Sequence, residues 1–488
     1  MNPISALIQR LREKAGKIPV IFWIILWLFI FVHIPTLGGA AVFDEPGYLE
    51  GYYRTYSNHL NPFLSWEGYK PPVTVWIPAL LSIFFGPGRE VPRLWILALS
   101  GASTGVLYLL AKQLFSKKTA IVAAGLLSIF PLFFIQSYIV SDAVPITIGM
   151  LCLWVFLVTE NITGFMLAGV WVLLTKETAL LAYEASACIF IIFGNPRQRL
   201  LRIISSLVPL LPFAVWLLLN KRLLGWYVWP GSAAKIHTMI IPTAESFWKF
   251  LLDVRLSLLN PYTFLVTLLA CYRIYRGGFR KPFGLPFVTM WIVLFILYLY
   301  MYSNIGLEMR YILFLCPVLI LLASDAIVRI AETNNRVALL ALLTVIAVSI
   351  GWHAYASIAE NSTYPEESMN VFAYRDMAQQ MTGYVEQKFP HASLVSSWPN
   401  LSVWQNDPFV DAKQHHTVFF CPTKTSDFYS FWARYSPSTE YIYIESSSIR
   451  LFDCDFRSLR LVLVREIHSI LFPWFTDSIR IFRIRPPE

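Results

Sequence analysis

The sequence predicts an α-helical polytopic membrane protein: about eleven transmembrane helices, then a small C-terminal α/β extracytoplasmic domain. Three observations predict it. Of the 488 residues, 56% are hydrophobic and only 14% are charged, against about 25% charged in an ordinary soluble chain. Mean hydropathy is +0.56, and apolar runs near the ~20-residue spanning length recur as far as residue 355. Those runs are apolar all round, which excludes a β-barrel, whose strands would alternate polar and apolar.

The net charge of +9 raises nucleic acid as a ligand, but no basic face is interleaved with stacking aromatics. The basic residues sit in short loops, as the positive-inside rule requires of cytoplasmic segments. The N-terminal basic segment (Arg10, Arg12, Lys14, Lys17) precedes the first apolar run, Ile18 to Phe43. That run is too long for a signal-peptide h-region and lacks a small-x-small cleavage site, so it is expected to be a retained span.

The candidate spans are residues 18–41, 92–114, 119–140, 144–159, 164–176, 178–193, 203–219, 256–271, 285–302, 311–327 and 337–354. With the N-terminus cytoplasmic, most inner loops carry Lys or Arg, as in NPRQRLLR and RIYRGGFRK, and the C-terminal region falls outside. Residues 42–91 form a long outer loop. Its apolar piece Val73 to Phe85 is bounded by Pro71-Pro72 and Gly86-Pro87-Gly88. It is too short to span and reads as an interfacial or re-entrant helix. Residues 220–255 form a second outer segment, with Trp226, Trp229 and Trp248 as interfacial anchors.

Past Ser357 the composition changes. Met369 to Lys388 has amphipathic helical spacing, and Tyr441 to Ile444, Leu459 to Val464 and Ile479 to Ile484 read as strands. Two domains are therefore expected: residues 1–355 in the membrane and residues 356–488 outside. His415-His416 reads as a solvated pair before a metal site. Cys152, Cys188, Cys271 and Cys316 fall in apolar runs and read as packing residues. Cys421 and Cys454 lie outside those runs; an oxidising compartment would let them pair, and the sequence leaves both states open.

Under this topology Asp44, Glu45, Glu67, Lys70, Glu90, Arg93, Asp142, Lys176, Glu177, Glu308 and Arg310 all fall at the outer interface. Ionisable residues at membrane depth are functional candidates by default. Carboxylates (Asp44, Glu45, Asp142) can take a proton from an attacking hydroxyl or amine. Lys70, Lys176 and Arg310 can hold a phosphate as it leaves. No Walker loop is present, which argues against a soluble nucleotide-sugar donor. These parts fit displacement of a lipid phosphate from a sugar carbon. The bland alternatives are Asp44 as a helix cap, Lys70 as a snorkelling lysine, and Lys176–Glu177 and Glu308–Arg310 as local pairs.

At these residues the chain resembles the GT-C glycosyltransferases, in the branch of the protein O-mannosyltransferases and the aminoarabinose transferases of lipid A. FDEPGY ends the first span, YKPPV follows, and FGPGREVPRLW opens the next. SDAVP, LLTKE and EMRYILFLCPVL come later in the family's order. The resemblance implies an integral-membrane transferase of a monosaccharide from a polyprenyl- or dolichyl-phosphate donor, by inverting single displacement on the extracytoplasmic side. The acceptor is a protein, lipid or glycan, and the location is the plasma (inner) membrane.

The resemblance implies Asp44 as catalytic base beside Glu45, an acid that is structural or orients the acceptor. It implies Lys70, Lys176 and Arg310 at the donor phosphate, with Asp142, Glu67, Glu90 and Arg93 supporting. Glu90 and Arg93 are expected to pair with each other. No cofactor is required, though a divalent cation is compatible with the oxygen ligands of Asp44 and Glu45. One departure concerns the double-proline motif. Aminoarabinose-type relatives place an acid directly before its lysine, where this chain has Tyr69, with Glu67 three residues before Lys70. A transporter or flippase of lipid-linked sugars is the competing reading. It would favour charges near the midplane within repeated halves, and no internal repeat is visible.

Overall fold

A computed structural model describes residues 18–37, 45–61, 72–227, 248, 261–277, 285–303, 309–358, 370–396, 418–420, 441–446, 460–468 and 478–485. The helices before the strands are α1 (Val20–His33), α2 (Glu45–Ser57), α3 (Pro72–Phe85), α4 (Glu90–Leu114), α5 (Lys117–Ser128), α6 (Pro131–Gln136), α7 (Ala143–Val158) and α8 (Ile162–Leu173). They continue as α9 (Leu180–Phe193), α10 (Arg199–Leu207), α11 (Leu210–Leu224), α12 (Pro261–Arg276), α13 (Leu285–Ser303), α14 (Cys316–Thr333), α15 (Asn335–Ile358) and α16 (Asn370–Lys388). The chain divides into two compact units. One comprises Met1–Pro35, Ile96–Tyr138 and Asp142–Trp352; the other comprises Thr36–Trp95, Ile139–Ser141 and His353–Glu488.

Three helical stretches among the described residues are long and apolar enough to cross a membrane: Glu90–Leu114, Pro196–Leu224, which Pro209 interrupts, and Ile312–Thr333. Shorter apolar helices accompany them. Two expected spans are broken by proline. The run over 119–140 stops after Ser128 and restarts at Pro131, where the missing N–H costs nothing in a first turn. The run over 203–219 starts earlier and runs later, as α10 and α11 on either side of Pro209. The expected span 311–327 opens as a 3₁₀ segment, Met309–Leu315, before α14.

The helix α7 is buried on nearly every side, and α14 is buried from Cys316 to Val328. A helix that is apolar all round belongs at the centre of such a bundle. By contrast α1 leaves Val20, Trp27, Leu28 and Phe31 exposed, as lipid contact requires. The turn between α9 and α10 depends on a glycine. A Cβ at Gly194 would lie 1.1 Å from Nη1 of Arg202, whose guanidinium donates to the Phe190 carbonyl at 2.9 Å and to Glu160 at 2.6 Å. Cys152, Cys188, Cys271 and Cys316 are all free thiols; Cys421 and Cys454 lie outside the described residues, as do His415 and His416.

In the second unit α2 packs on α3. Tyr52 joins them: its hydroxyl lies 2.7 Å from Ser82 Oγ, and it accepts the Gly88 N–H at 3.1 Å. The piece expected as interfacial is the helix α3, with Pro78 inside it. It buries Val73, Val75 and Ala79 and exposes Leu80, Ile83, Phe84 and Phe85, so apolar side chains cover both its buried and its exposed sides.

Helix α16 is followed by β1 (Ser393–Ser396), β2 (Val418–Phe420), β3 (Tyr441–Ser446), β4 (Arg460–Ile467) and β5 (Ile479–Arg485). They form one sheet in the order β2-β1-β3-β5-β4. β1 runs parallel to β2 and β3, while β5 is antiparallel to β3 and β4. Helix α16 packs on β4 and β5; its Met377, Ala378, Met381 and Val385 are buried, the i, i+4 spacing of an apolar stripe. The strands β1 and β2 escaped the sequence reading because runs of four and three residues carry too little alternation to register.

Candidate functional site

In the second unit a single carboxylate gathers partners from separate stretches of chain. Glu45, at the first position of α2, is fully buried. Arg93, from the first turn of α4, meets it in a bidentate fork, Nε to Oε1 at 2.8 Å and Nη2 to Oε2 at 2.9 Å. Arg375 of α16 donates from Nη2 to Oε2 at 2.9 Å, and the Val140 N–H donates to Oε1 at 3.3 Å. Arg93 also donates from Nη1 to the Leu37 carbonyl at 2.6 Å, so it grips the chain on both sides of residues 38–44. Planar guanidinium groups suit such forks better than lysine would.

Burial opposes the charge on Glu45, but the fields of Arg375 and Arg93, with the Arg93 and Val140 hydrogen bonds, hold its pKa at about 2. Such a carboxylate is a poor proton acceptor at neutral pH. Both of its oxygens face guanidinium groups, so a divalent ion there would meet like charge. Glu45, expected beside the base, is placed as an anchor. The sequence pairs Arg93 with Glu90. The structure instead puts Arg93 on Glu45 and leaves Glu90 exposed, because a buried guanidinium needs a buried acid more than a solvated one.

In the first unit Asp142 sits at the N-cap of α7 without capping it. Its carboxylate instead lies 2.8 Å from Nζ of Lys176, and both residues are buried. Lys176 occupies the extended break between α8 and the 3₁₀ turn Glu177–Ala179. It therefore meets an acid far away in the sequence rather than the adjacent Glu177. The Tyr298 hydroxyl donates to the Thr178 carbonyl in that 3₁₀ turn. Arg310 is buried in the 3₁₀ segment Met309–Leu315, which packs on α7. Asp44, Glu67, Lys70 and Glu308 lie outside the described residues. Among the described residues no group of three or more His, Cys, Asp or Glu is arranged to hold a metal.

Residues 69–226 match the family described as dolichyl-phosphate-mannose-protein mannosyltransferase. Two structures of ArnT from Cupriavidus metallidurans, one apo and one bound to undecaprenyl phosphate, align with TM-scores of 0.56 and 0.55 at 14% identity, over 95% of this chain and 97% of theirs. The chain has the GT-C glycosyltransferase fold. The oligosaccharyltransferase of Archaeoglobus fulgidus, in complex with Zn and sulfate, aligns with a TM-score of 0.51 at 13% identity, over 87% of this chain and 67% of its own. No curated protein matches the GT-C chain by sequence.

Sequence reasoning on this GT-C chain missed Arg375. The one available signal was an arginine on an otherwise apolar stripe, since Arg375 precedes the buried Ala378 and Met381 at helical spacing. It also missed the Val140 amide, which carries no sequence signal, because every non-proline residue has one.

Proposed function

We propose that this GT-C chain is an integral-membrane glycosyltransferase that moves a monosaccharide from a polyprenyl- or dolichyl-phosphate donor to an acceptor on the extracytoplasmic side. The observation that carries the reading is the buried Glu45 anchor, which fixes the residue that follows Asp44 in the sequence. The family match over residues 69–226 and the ArnT structure bound to undecaprenyl phosphate support a lipid-phosphate donor. On this reading residues 1–355 carry the chemistry and residues 356–488 form an extracytoplasmic part, with the N-terminus cytoplasmic in the plasma membrane.

The chemistry is a single displacement. The acceptor hydroxyl or amine attacks the sugar anomeric carbon while Asp44 takes its proton. The bond from that carbon to the phosphate oxygen breaks, and the lipid phosphate leaves with the electron pair, so configuration inverts. Lys70, Lys176 and Arg310 are assigned to the charge that develops on the leaving phosphate. Asp142 holds Lys176, Glu45 and Arg93 hold the start of α2, and Glu67 and Glu90 flank the donor and acceptor side.

The test is mass spectrometry of envelope glycolipids and glycoproteins from cells carrying the wild type or Asp44→Asn at matched membrane levels. Removing a general base costs about 10²–10⁴-fold in rate, so one defined sugar mass is expected to disappear. An active Asp44→Asn protein would remove Asp44 as the base; movement of lipid-linked sugar across the membrane with Asp44 dispensable would favour a transporter. A second expected result concerns Lys176. Lys176→Met should weaken the apparent affinity for undecaprenyl phosphate by about tenfold or more, since the loss of one buried charge contact exceeds about 1.4 kcal/mol. Unchanged binding of that lipid would confine Lys176 to its pairing with Asp142.

A further inference from the structure

Lys176 and Arg310 both lie in short segments outside the α-helices of the first unit. Lys176 is a single extended residue between α8 and the turn Glu177–Ala179, and Arg310 sits in the 3₁₀ segment Met309–Leu315. Hydrogen bonds in 3₁₀ turns have poorer geometry than those of an α-helix, so the aim of each cation depends on what holds its segment from outside. The α8 side of the Lys176 break is tied to α7. The Trp171 indole donates to the Pro145 carbonyl at 2.8 Å, and only a glycine at 149 admits it, since a Cβ there would lie 2.6 Å from the indole. The other side of the break is held from α13. The Tyr298 hydroxyl donates to the Thr178 carbonyl, two residues beyond Lys176. The same side chain reaches the Arg310 segment: its ring meets the edge of Phe314, with centroids 5.2 Å apart and planes at 82°. Earlier on α13, the Trp291 indole donates to the Leu315 carbonyl at 3.1 Å, at the end of that segment. Tyr298 is fully buried and touches both cation-bearing segments at once.

We infer that Tyr298 is a positioning residue for the donor phosphate: its hydroxyl fixes the turn that aims Lys176, and its ring steadies the segment that carries Arg310. The inference rests on the reading that those two cations meet the lipid phosphate. Packing alone does not account for the residue. A phenylalanine would fill the same space, and a hydroxyl carried into an apolar interior costs free energy unless it is bonded. Here the bond goes to the turn that follows Lys176. A lysine is a point charge on a flexible four-carbon stem, so two things aim its ammonium. One is the Asp142 carboxylate 2.8 Å from Nζ; the other is the place where its backbone is held. Tyr298 supplies the second. Rate and binding are sensitive to such aim, since a misplacement of about 1 Å can cost on the order of 10²-fold.

The test is equilibrium binding of undecaprenyl phosphate, and of undecaprenol as the same lipid without its phosphate, to the full-length protein in detergent micelles. Tyr298→Phe keeps the ring contact with Phe314 and removes only the hydroxyl. It should weaken undecaprenyl phosphate by about three- to tenfold, the worth of one hydrogen bond, and leave undecaprenol unchanged. In a Lys176→Met background it should have no further effect, because the group it aims is gone. Tyr298→Leu also gives up the ring contact, so it should weaken undecaprenyl phosphate further and keep part of its effect beside Lys176→Met, through Arg310. Equal affinity of the wild type and Tyr298→Phe for undecaprenyl phosphate would overturn the inference, whether or not Tyr298→Leu folds. So would an equal loss for undecaprenol, which would make Tyr298 a packing residue, or a full further loss beside Lys176→Met, which would mean that the hydroxyl acts elsewhere. Those three results leave the donor-phosphate reading standing as long as Lys176→Met alone weakens binding. If Lys176→Met alone changes nothing, that reading falls and the inference falls with it.

Discussion

Arg93→Ala is expected to lower stability by about 3–5 kcal/mol, the cost of removing one partner from a buried ion pair. The cause is the charge left behind. Glu45 is fully buried, and among the described residues Arg93 supplies two of the four hydrogen bonds on its oxygens. Arg375→Ala removes a single hydrogen bond from the same acid and should cost about 1.5–3 kcal/mol. The two losses share one acid, so they should not add. A double-mutant cycle read by thermal unfolding in detergent should give a coupling of about 0.5–3 kcal/mol; strict additivity would mean that the arginines act through different partners. The same anchor sets a pH dependence. The Glu45 pKa is about 2 when folded, against an ordinary value of 4.5. Its contribution is therefore complete above about pH 4.5 and is lost as pH falls toward about 2, on the order of 3 kcal/mol in all. Glu45→Gln should flatten the acid limb of the stability curve over that window, and an unchanged limb would remove Glu45 as its source.

Asp325→Leu should have an effect of similar size, about 3–5 kcal/mol, in the first unit. Asp325 of α14 is buried and accepts from the fully buried Arg273 of α12, from Arg329 at 2.9 Å and from Thr119 at 3.2 Å. Without it the Arg273 guanidinium stays in an apolar interior with its main acid gone. The paired replacement Arg273→Met with Asp325→Leu should recover most of the loss, because two matched apolar groups replace both charges. If the double variant unfolds no later than Asp325→Leu alone, the stranded charge is not the cause.

The two anchors also separate what was legible from what was not. Membrane helices were legible because apolar runs are local, and the outer placement expected for the DE, SDAVP and LLTKE motifs followed from counting runs. The partners of their charges were not legible. Glu90 stands three residues from Arg93 on one helix face, the spacing at which pairs form, yet the bond goes to Glu45, forty-eight residues away. Glu177 adjoins Lys176, yet the contact goes to Asp142. Proximity along the chain points the wrong way in both cases because desolvation decides them: a buried cation takes the acid that is buried with it, and a neighbour that keeps contact with water, as the exposed Glu90 and the half-buried Glu177 do, can be left to it.

The sequence by itself determined that this chain is rich in apolar helices, with its motifs in a fixed order between them, since composition, apolar length and motif order are properties of the chain read one stretch at a time. Only the tertiary structure decided that Glu45 is an anchor held by Arg93, Arg375 and the Val140 amide, and that Asp325 holds Arg273. Those facts depend on which distant side chains share a dry interior, where one unpaired polar group outweighs many local preferences.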